Sequence, residues 1–319
     1  MLRHWLSLTA AMAMAVPLWP VRSLRAEEPL RLVLGTATPG GGFPAYGEAL
    51  AAALREVDPA LELARRATTG SSENLVLLRE GQVDLALVQG EYAHEALAGP
   101  DRAGLAVVAP VYAAPGLFVV PAASPVRALA DLRGRPVALG TRSSGLTAMG
   151  RTVLRGAGLE PERDIQPILL DRAGDGPEMV RDGRAAALWG GGLGWPGFRA
   201  MAAAPGGARF FGPPAEALDA ILALSPSLRR MTVPAGTFPA QAEAIATVGS
   251  WSFIIARPGL EDSAVSRLVR AIDRGRDALA RHLPHERASD PRDLPAAVPA
   301  AWLHPATAAF LREAGALPP

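Results

Sequence analysis

The chain has 319 residues and not one cysteine. That absence excludes disulfides, a thiolate metal site and any lipid attached through cysteine. Lysine is absent too, so arginine carries every strong positive charge. The 32 basic residues balance 31 acidic ones, for a net charge of +1, and no block of five or more like charges occurs. Nucleic acid and polybasic membrane contacts are therefore not expected. Aromatic residues make up only 5% of the chain, too few to suggest a sugar-stacking site. After the first 20 residues no apolar run is long enough to cross a bilayer.

Signatures of chemistry are missing as well. The five histidines are His4, His94, His282, His285 and His304. None belongs to an HExxH pattern, and no GxSxG elbow is present. His94 and Glu95 are adjacent and so point to different faces of a helix. His282 and His285, with Glu286 beside them, read as an exposed helix end. His304 before Pro305 reads as a structural turn. Glu73 and Asp84 have no carboxylate partner at hydrolase spacing. No catalytic residue, metal site or cofactor is expected.

What is present begins with a leader. Arg3 and His4 precede an apolar run over residues 5–18, broken by Pro17 and Pro20 and followed by small residues at Ser23 and Ala26. This is the order of a secretory signal peptide, so residues 1–26 are expected to direct export to the periplasm. Loss of Arg3, Arg22 and Arg25 with that leader takes the net charge from +1 to −2.

The remaining chain alternates short apolar runs with amphipathic stretches. Strands are expected at 30–34, 61–65 and 85–88, with helices at 44–57, 72–80 and 92–98 between and after them. That order predicts a parallel sheet with helices on its faces. Two further strands are expected at 105–112 and 116–120. The alternation then restarts, with strands at 137–139, 165–170 and 185–189. A long strand is expected at 247–256, an amphipathic helix at 263–280 and a last helix at 305–314. The restart points to an α/β protein of two lobes. Residues 27–115 plus 252–319 form the first lobe and 116–251 the second. Residues 116–120 and 250–256 are the candidate hinge strands.

Ligands of parallel α/β sheets sit beyond the carboxyl ends of the strands. Four turns there are rich in glycine and hydroxyls: 35–43, 68–74, 88–92 and 140–147. Glycine lets the backbone approach a ligand, and free amides at helix starts hold anions. Arg142 adds a possible charge-assisted fork to a carboxylate.

Several runs resemble the TAXI family, the extracytoplasmic receptors of TRAP transporters. They are GTATPGGGFPAYG at 35–47, TGSSENLVLL at 69–78 and DLALVQGEYAHEA at 84–96. Weaker matches lie at 129–137, 233–249 and 302–306. In order, they span nearly the whole chain after the leader. The resemblance implies a type II periplasmic-binding-protein fold, with two α/β lobes joined by hinge strands around a ligand cleft. It implies an amino acid or dicarboxylate ligand and TRAP transporter membrane subunits as partners. By position it assigns Thr36, Gly42, Phe43, Ser71, Asn74, Gln89, Ser144, Gly145 and Trp195 to the ligand. Two departures stand out. Leu146 replaces a hydroxyl of the second-lobe loop, and Phe43-Pro44 replaces a tyrosine pair. The expected role is capture of a small carboxylate-bearing solute without chemistry. The alternatives are a sensing subunit for a membrane signalling partner and a periplasmic enzyme.

Overall fold

A computed structural model describes residues 28–99, 102–283 and 290–318. The expected leader, His285 and Glu286 lie outside the described residues.

The elements in order are β1 (Leu30–Gly35), α1 (Gly42–Val57), β2 (Leu61–Arg66), α2 (Ser71–Arg79), β3 (Leu85–Gln89) and α3 (Gly90–Ala98). Next come β4 (Ala106–Pro121), β5 (Pro136–Thr141), α4 (Gly145–Gly156), α5 (Pro161–Asp164), β6 (Gln166–Leu170) and α6 (Gly176–Arg181). They continue with β7 (Ala187–Gly191), α7 (Pro196–Ala202), β8 (Ala208–Phe211), α8 (Leu218–Leu224), β9 (Arg229–Val233) and β10 (Ile245–Ala256). The last are α9 (Asp262–Arg274), α10 (Arg276–His282), α11 (Leu294–Ala297) and α12 (Pro305–Glu313).

Strand pairing runs β2-β1-β3-β10-β4-β7-β5-β6, with β8 on β4 and β9 on β10. The trios β2-β1-β3 and β6-β5-β7 are parallel, as buried β-α-β units require. β4 and β10 are the long antiparallel strands between them. Residues 106–115 of β4 face β10, while 116–121 face β7 and β8. β10 likewise meets β9 up to Gly249 and β4 and β3 beyond it. One apolar cluster gathers side chains from Leu32 to Ala114 and from Phe253 to Leu311. Two others use residues from Leu117 to Val248. The result is a two-lobe α/β fold.

β4 corrects the expectation of separate strands at 105–112 and 116–120. The backbone stays extended through Pro115 because that residue sits where β4 changes partners, and its missing N–H costs no ladder bond there. Pro110 lies beside a register shift in the same pairing. The helix expected at 263–280 is two helices, α9 and α10, which meet at Gly275. A Cβ there would lie 3.0 Å from Ala271 O and 3.6 Å from Ala53 O, so glycine admits α1 close to the break. The sequence reading also misses β8, β9 and α7. β9 buries only Val233 and so shows no alternation. His304 caps α12, its Nδ1 accepting from Ala306 N–H at 3.3 Å.

Asp58, at the end of α1, is buried and takes a two-pronged fork from Arg267 of α9, at 2.7 and 2.8 Å. The fork holds the Asp58 carboxyl below its ordinary range. A carboxyl lowered this way stabilises the fold above its unfolded-state value and loses that contribution as pH falls through the acid range. Arg267→Met leaves the carboxylate buried and unpaired. It is expected to cost about 3 kcal/mol, read from urea unfolding at neutral pH, with a smaller deficit near pH 3.

Candidate functional site

Four strands end on four helix starts, and all of them converge. β1 leads to α1, β2 to α2, β3 to α3 and β5 to α4. The first residues of these helices line one cavity of about 60 Å³ between the lobes: Gly41, Gly42 and Phe43 of the first, Gly70 and Ser71 of the second, Gln89 at the third, and Ser144 to Leu146 at the fourth. Each helix start presents amide N–H groups without helical partners and the positive end of the helix dipole. Tyr112, Ala114, Leu139, Leu170, Trp189 and Trp195 supply much of the apolar wall. No ionisable Asp, Glu, Arg or His side chain lines the cavity.

Of the sequence-assigned residues, Gly42, Phe43, Ser71, Gln89, Ser144, Gly145 and Trp195 come together on this lining. Thr36 and Asn74 do not. Asn74 is fully buried behind the cavity, and its amide donates to Thr36 O and Leu87 O, both at 2.8 Å. It ties the ends of β1 and β3 together. Thr36 Oγ1 donates to Arg66 O at 3.1 Å, at the end of β2. Both are braces that hold the loops. Arg142 is not among the lining residues either: its residue is exposed and lies off the lining. Its turn directs Ser144 inward instead. Thr147 does not stand in for the hydroxyl absent at 146, because its own hydroxyl lies 2.8 Å from Thr141 O and 3.0 Å from Leu139 O.

Other residues of the lining escape a reading of the loops. Tyr112 and Ser252 sit inside the long strands β4 and β10, where sequence suggests only core. Trp189 closes the back wall and donates its indole N–H to Leu146 O at 2.7 Å. The signal that could have found them is position next to a strand crossover.

The lobes touch around the cavity. Trp195 Nε1 donates to Gly40 O at 3.2 Å, and Thr141 Oγ1 donates to Thr69 O at 3.3 Å. Ala173 N donates to Thr38 Oγ1 at 3.1 Å, while Gly174 N and Ser72 N reach Pro39 O and Ser143 O at 3.3 Å each. These are contacts of a closed cleft. They rely on bare backbone. A Cβ on Gly40 would fall 2.4 Å from Gly174 Cα, and Gly40 already has φ +80. A Cβ on Gly70 would fall 2.8 Å from Ser143 O.

The sequence profile of the NMT1-like family matches residues 34–315. The chain belongs to the NMT1-like family. No curated protein matches its sequence. MatC from Rhodopseudomonas palustris with bound malate superposes with a TM-score of 0.58 at 15% identity, covering 89% of this chain and 96% of that one. Tv2483 bound to L-arginine gives 0.53 at 12% identity, over 81% and 92%. XAC2383 from Xanthomonas citri bound to chloride ion gives 0.51 at 16% identity, over 90% and 97%. The fold of this NMT1-like protein is the two-lobe fold of periplasmic solute-binding proteins. Among the described residues no helix is long and apolar enough to cross a membrane.

Closure can be tested without a ligand. A Cβ on Gly41 would stand 3.7 Å from Ala173 Cβ across the cleft, within disulfide range. The chain has no other cysteine. Gly41→Cys with Ala173→Cys is expected to crosslink under mild oxidation, read by gel mobility. Adding Gly40→Ala should slow that crosslinking by about tenfold or more, because the new methyl meets backbone rather than a movable side chain. Equal rates would show that closure does not depend on Gly40.

Proposed function

We propose that this protein is a periplasmic receptor that captures a small carboxylate-bearing solute, of amino acid or dicarboxylate type, for a TRAP-type membrane transporter. One observation carries the ligand class. Four helix starts meet on a small cavity that, among the described residues, no Asp, Glu, Arg or His side chain lines. Free amides and helix dipoles favour an anionic group, each helix start contributing about 0.3–1 kcal/mol and more where partly buried. The apolar wall of Trp189, Trp195 and Leu139 receives the rest of the solute. Malate, L-arginine and chloride, bound by the three proteins of similar fold, all present a negative group, which agrees with this reading.

The mechanism is capture by closure. The loops of one lobe take the solute, and the other lobe closes through contacts such as Trp195 to Gly40. The solute shifts the open–closed equilibrium by as much as it prefers the closed site. In this reading the solute is handed on unchanged. The ordered TAXI-like runs at 35–47, 69–78 and 84–96 favour a TRAP transporter as the recipient.

A thermal-shift screen of the protein without residues 1–26 tests the ligand class. L-malate, L-glutamate and L-arginine are the first compounds, with the diamide of malate as the uncharged control. A true ligand at 100 times its Kd adds about 2.7 kcal/mol and raises Tm by several degrees. The diamide should give no rise. A response to the diamide equal to that of malate would sink the anion reading.

A second outcome separates the site from the surface. Arg142→Ala is expected to leave Kd within about twofold, because a lone exposed charge contributes little. Gln89→Ala should weaken binding at least tenfold, since Gln89 lines the cavity from a fully buried position. Titration calorimetry checks both.

A further inference from the structure

Glu91 is the second residue of α3, two positions past the cavity residue Gln89. Its carboxyl does not reach solvent freely. Oε2 accepts from Ser250 Oγ at 3.1 Å, and Oε1 is buried without a hydrogen-bond partner. Ser250 Oγ accepts in turn from Gln89 Nε2 at 2.5 Å, and the Glu91 N–H points back to Gln89 Oε1 at 3.4 Å. A closed loop of contacts thus joins the carboxyl to the ligand lining through one buried serine of β10.

That serine sits beside Gly249, where β10 changes partners. The backbone ahead of Glu91 packs tightly on this serine. A Cβ on Gly90 would lie 2.6 Å from Ser250 Cβ and 2.7 Å from Trp251 O. The second lobe completes the enclosure. Gly145 of α4 abuts Gln89, where a Cβ would lie 2.3 Å from Oε1, and Met149 Sδ is 4.0 Å from Gln89 Nε2. α4 of the second lobe thus packs on the side chain that holds Ser250.

Among the described residues no opposite charge ion-pairs with the carboxylate. β3 and β10 carry no charged side chain. On α4, Arg151 pairs with Glu162 and Arg155 with Glu160. On α2, Glu73 is held by Thr69, and Arg79 is at the far end of the helix. On α3 itself, His94 faces Trp302 and Glu95 is exposed. Arg229 of β9 is hydrogen-bonded to Pro226 O and Leu228 O. None of these groups ion-pairs with Glu91.

We propose that Glu91 is a positioning residue that takes up one proton as the lobes close, so that solute capture is proton-linked and strengthens as pH falls. The claim rests on the receptor reading above. Burial pushes the carboxyl up to about 7 in the closed form. Exposed to water in the open form, it returns toward the ordinary carboxylate range of about 4.3. The closed form therefore binds more protons between those two values. Affinity is highest and flat below the lower value, falls by up to about tenfold per pH unit through the window, and is flat again above the upper one.

The test uses the crosslinkable Gly41→Cys, Ala173→Cys protein, so that closure needs no ligand. Carbon-13 NMR follows the glutamate carboxyl signals with pH in the oxidised and reduced forms. Glu91→Gln identifies the signal by its loss; if that variant does not fold, Glu91→Asp identifies it by moving it to the aspartate region. A midpoint near 7 when locked and well below 6 when reduced supports the proposal. Equal midpoints overturn it. A second arm measures L-malate binding by calorimetry at pH 5.5 and 7.5, in buffers of different ionisation heat. Tighter binding at pH 5.5, with proton uptake that Glu91→Gln abolishes, is expected. Binding with no proton uptake overturns the proposal. If L-malate does not bind at either pH, that choice of solute fails, and the locked titration still decides the fate of the proton.

Discussion

Two strands are asked to serve two sheets, and the rest of the molecule follows from how they do it. β4 and β10 run antiparallel, and each exchanges its partners part-way along its length. A residue at such an exchange has to fit two neighbourhoods at once. Pro115 meets this by lacking an N–H where no ladder bond is on offer. Gly116 and Gly249 meet it by lacking side chains: a Cβ on the first would fall 2.3 Å from the Trp189 ring, and one on the second 2.3 Å from Ala114 O. Thr247 then fastens the crossing, its hydroxyl donating to Gly116 O at 2.6 Å. A stiff, narrow crossing of this kind keeps the strand ends of both lobes aimed at one cleft. It also leaves rotation about the crossing as the soft motion.

The cleft then uses backbone where many binding sites use charge. Helix starts supply partial positive charge that is fixed in place, needs no ordering of a long side chain and cannot be lost by deprotonation. Buried threonine and asparagine side chains hold those starts in register. Asn74 is the clearest case, since its amide spans the carbonyls that end two strands. Glu91, whose carboxyl is tucked against Ser250, is set one layer behind the lining rather than on it. The large apolar groups of the lining are chiefly Trp189 and Trp195.

Most of the architecture was legible in the sequence, for reasons that differ between elements. β1, β2 and β3 announce themselves as short apolar runs between amphipathic helices, and the parallel pairing follows from that order. The glycine-rich turns after them mark the cleft because strand ends and helix starts must meet there. Seven of the ten residues assigned from sequence share the lining. The three that lie off it do so for physical reasons. Thr36 and Asn74 are polar residues near a ligand loop, yet the Thr36 hydroxyl and the Asn74 amide N–H groups donate to backbone carbonyls of the first lobe. Arg142 has the right charge but occupies the outer side of its turn, and a sequence does not reveal the direction of a turn residue. Tyr112 and Ser252 went unseen because strand periodicity distinguishes only two faces, while the lining depends on where two sheets meet. The break at Gly275 was hidden for a similar reason: helical spacing continues across it, and only the approach of α1 explains the glycine.

The position of β10 in the chain also governs the order in which the protein can be assembled. β10 lies between β3 and β4 in the sheet but follows them by more than 120 residues. Until it arrives, β3 presents an unpaired edge of five buried residues. Such an edge is a template for pairing with another chain. A polypeptide emerging from its N-terminus has the residues of the second lobe's parallel trio in hand well before it can complete the first. The first lobe therefore depends on late, distant contacts, the kind whose loop-closure cost slows folding.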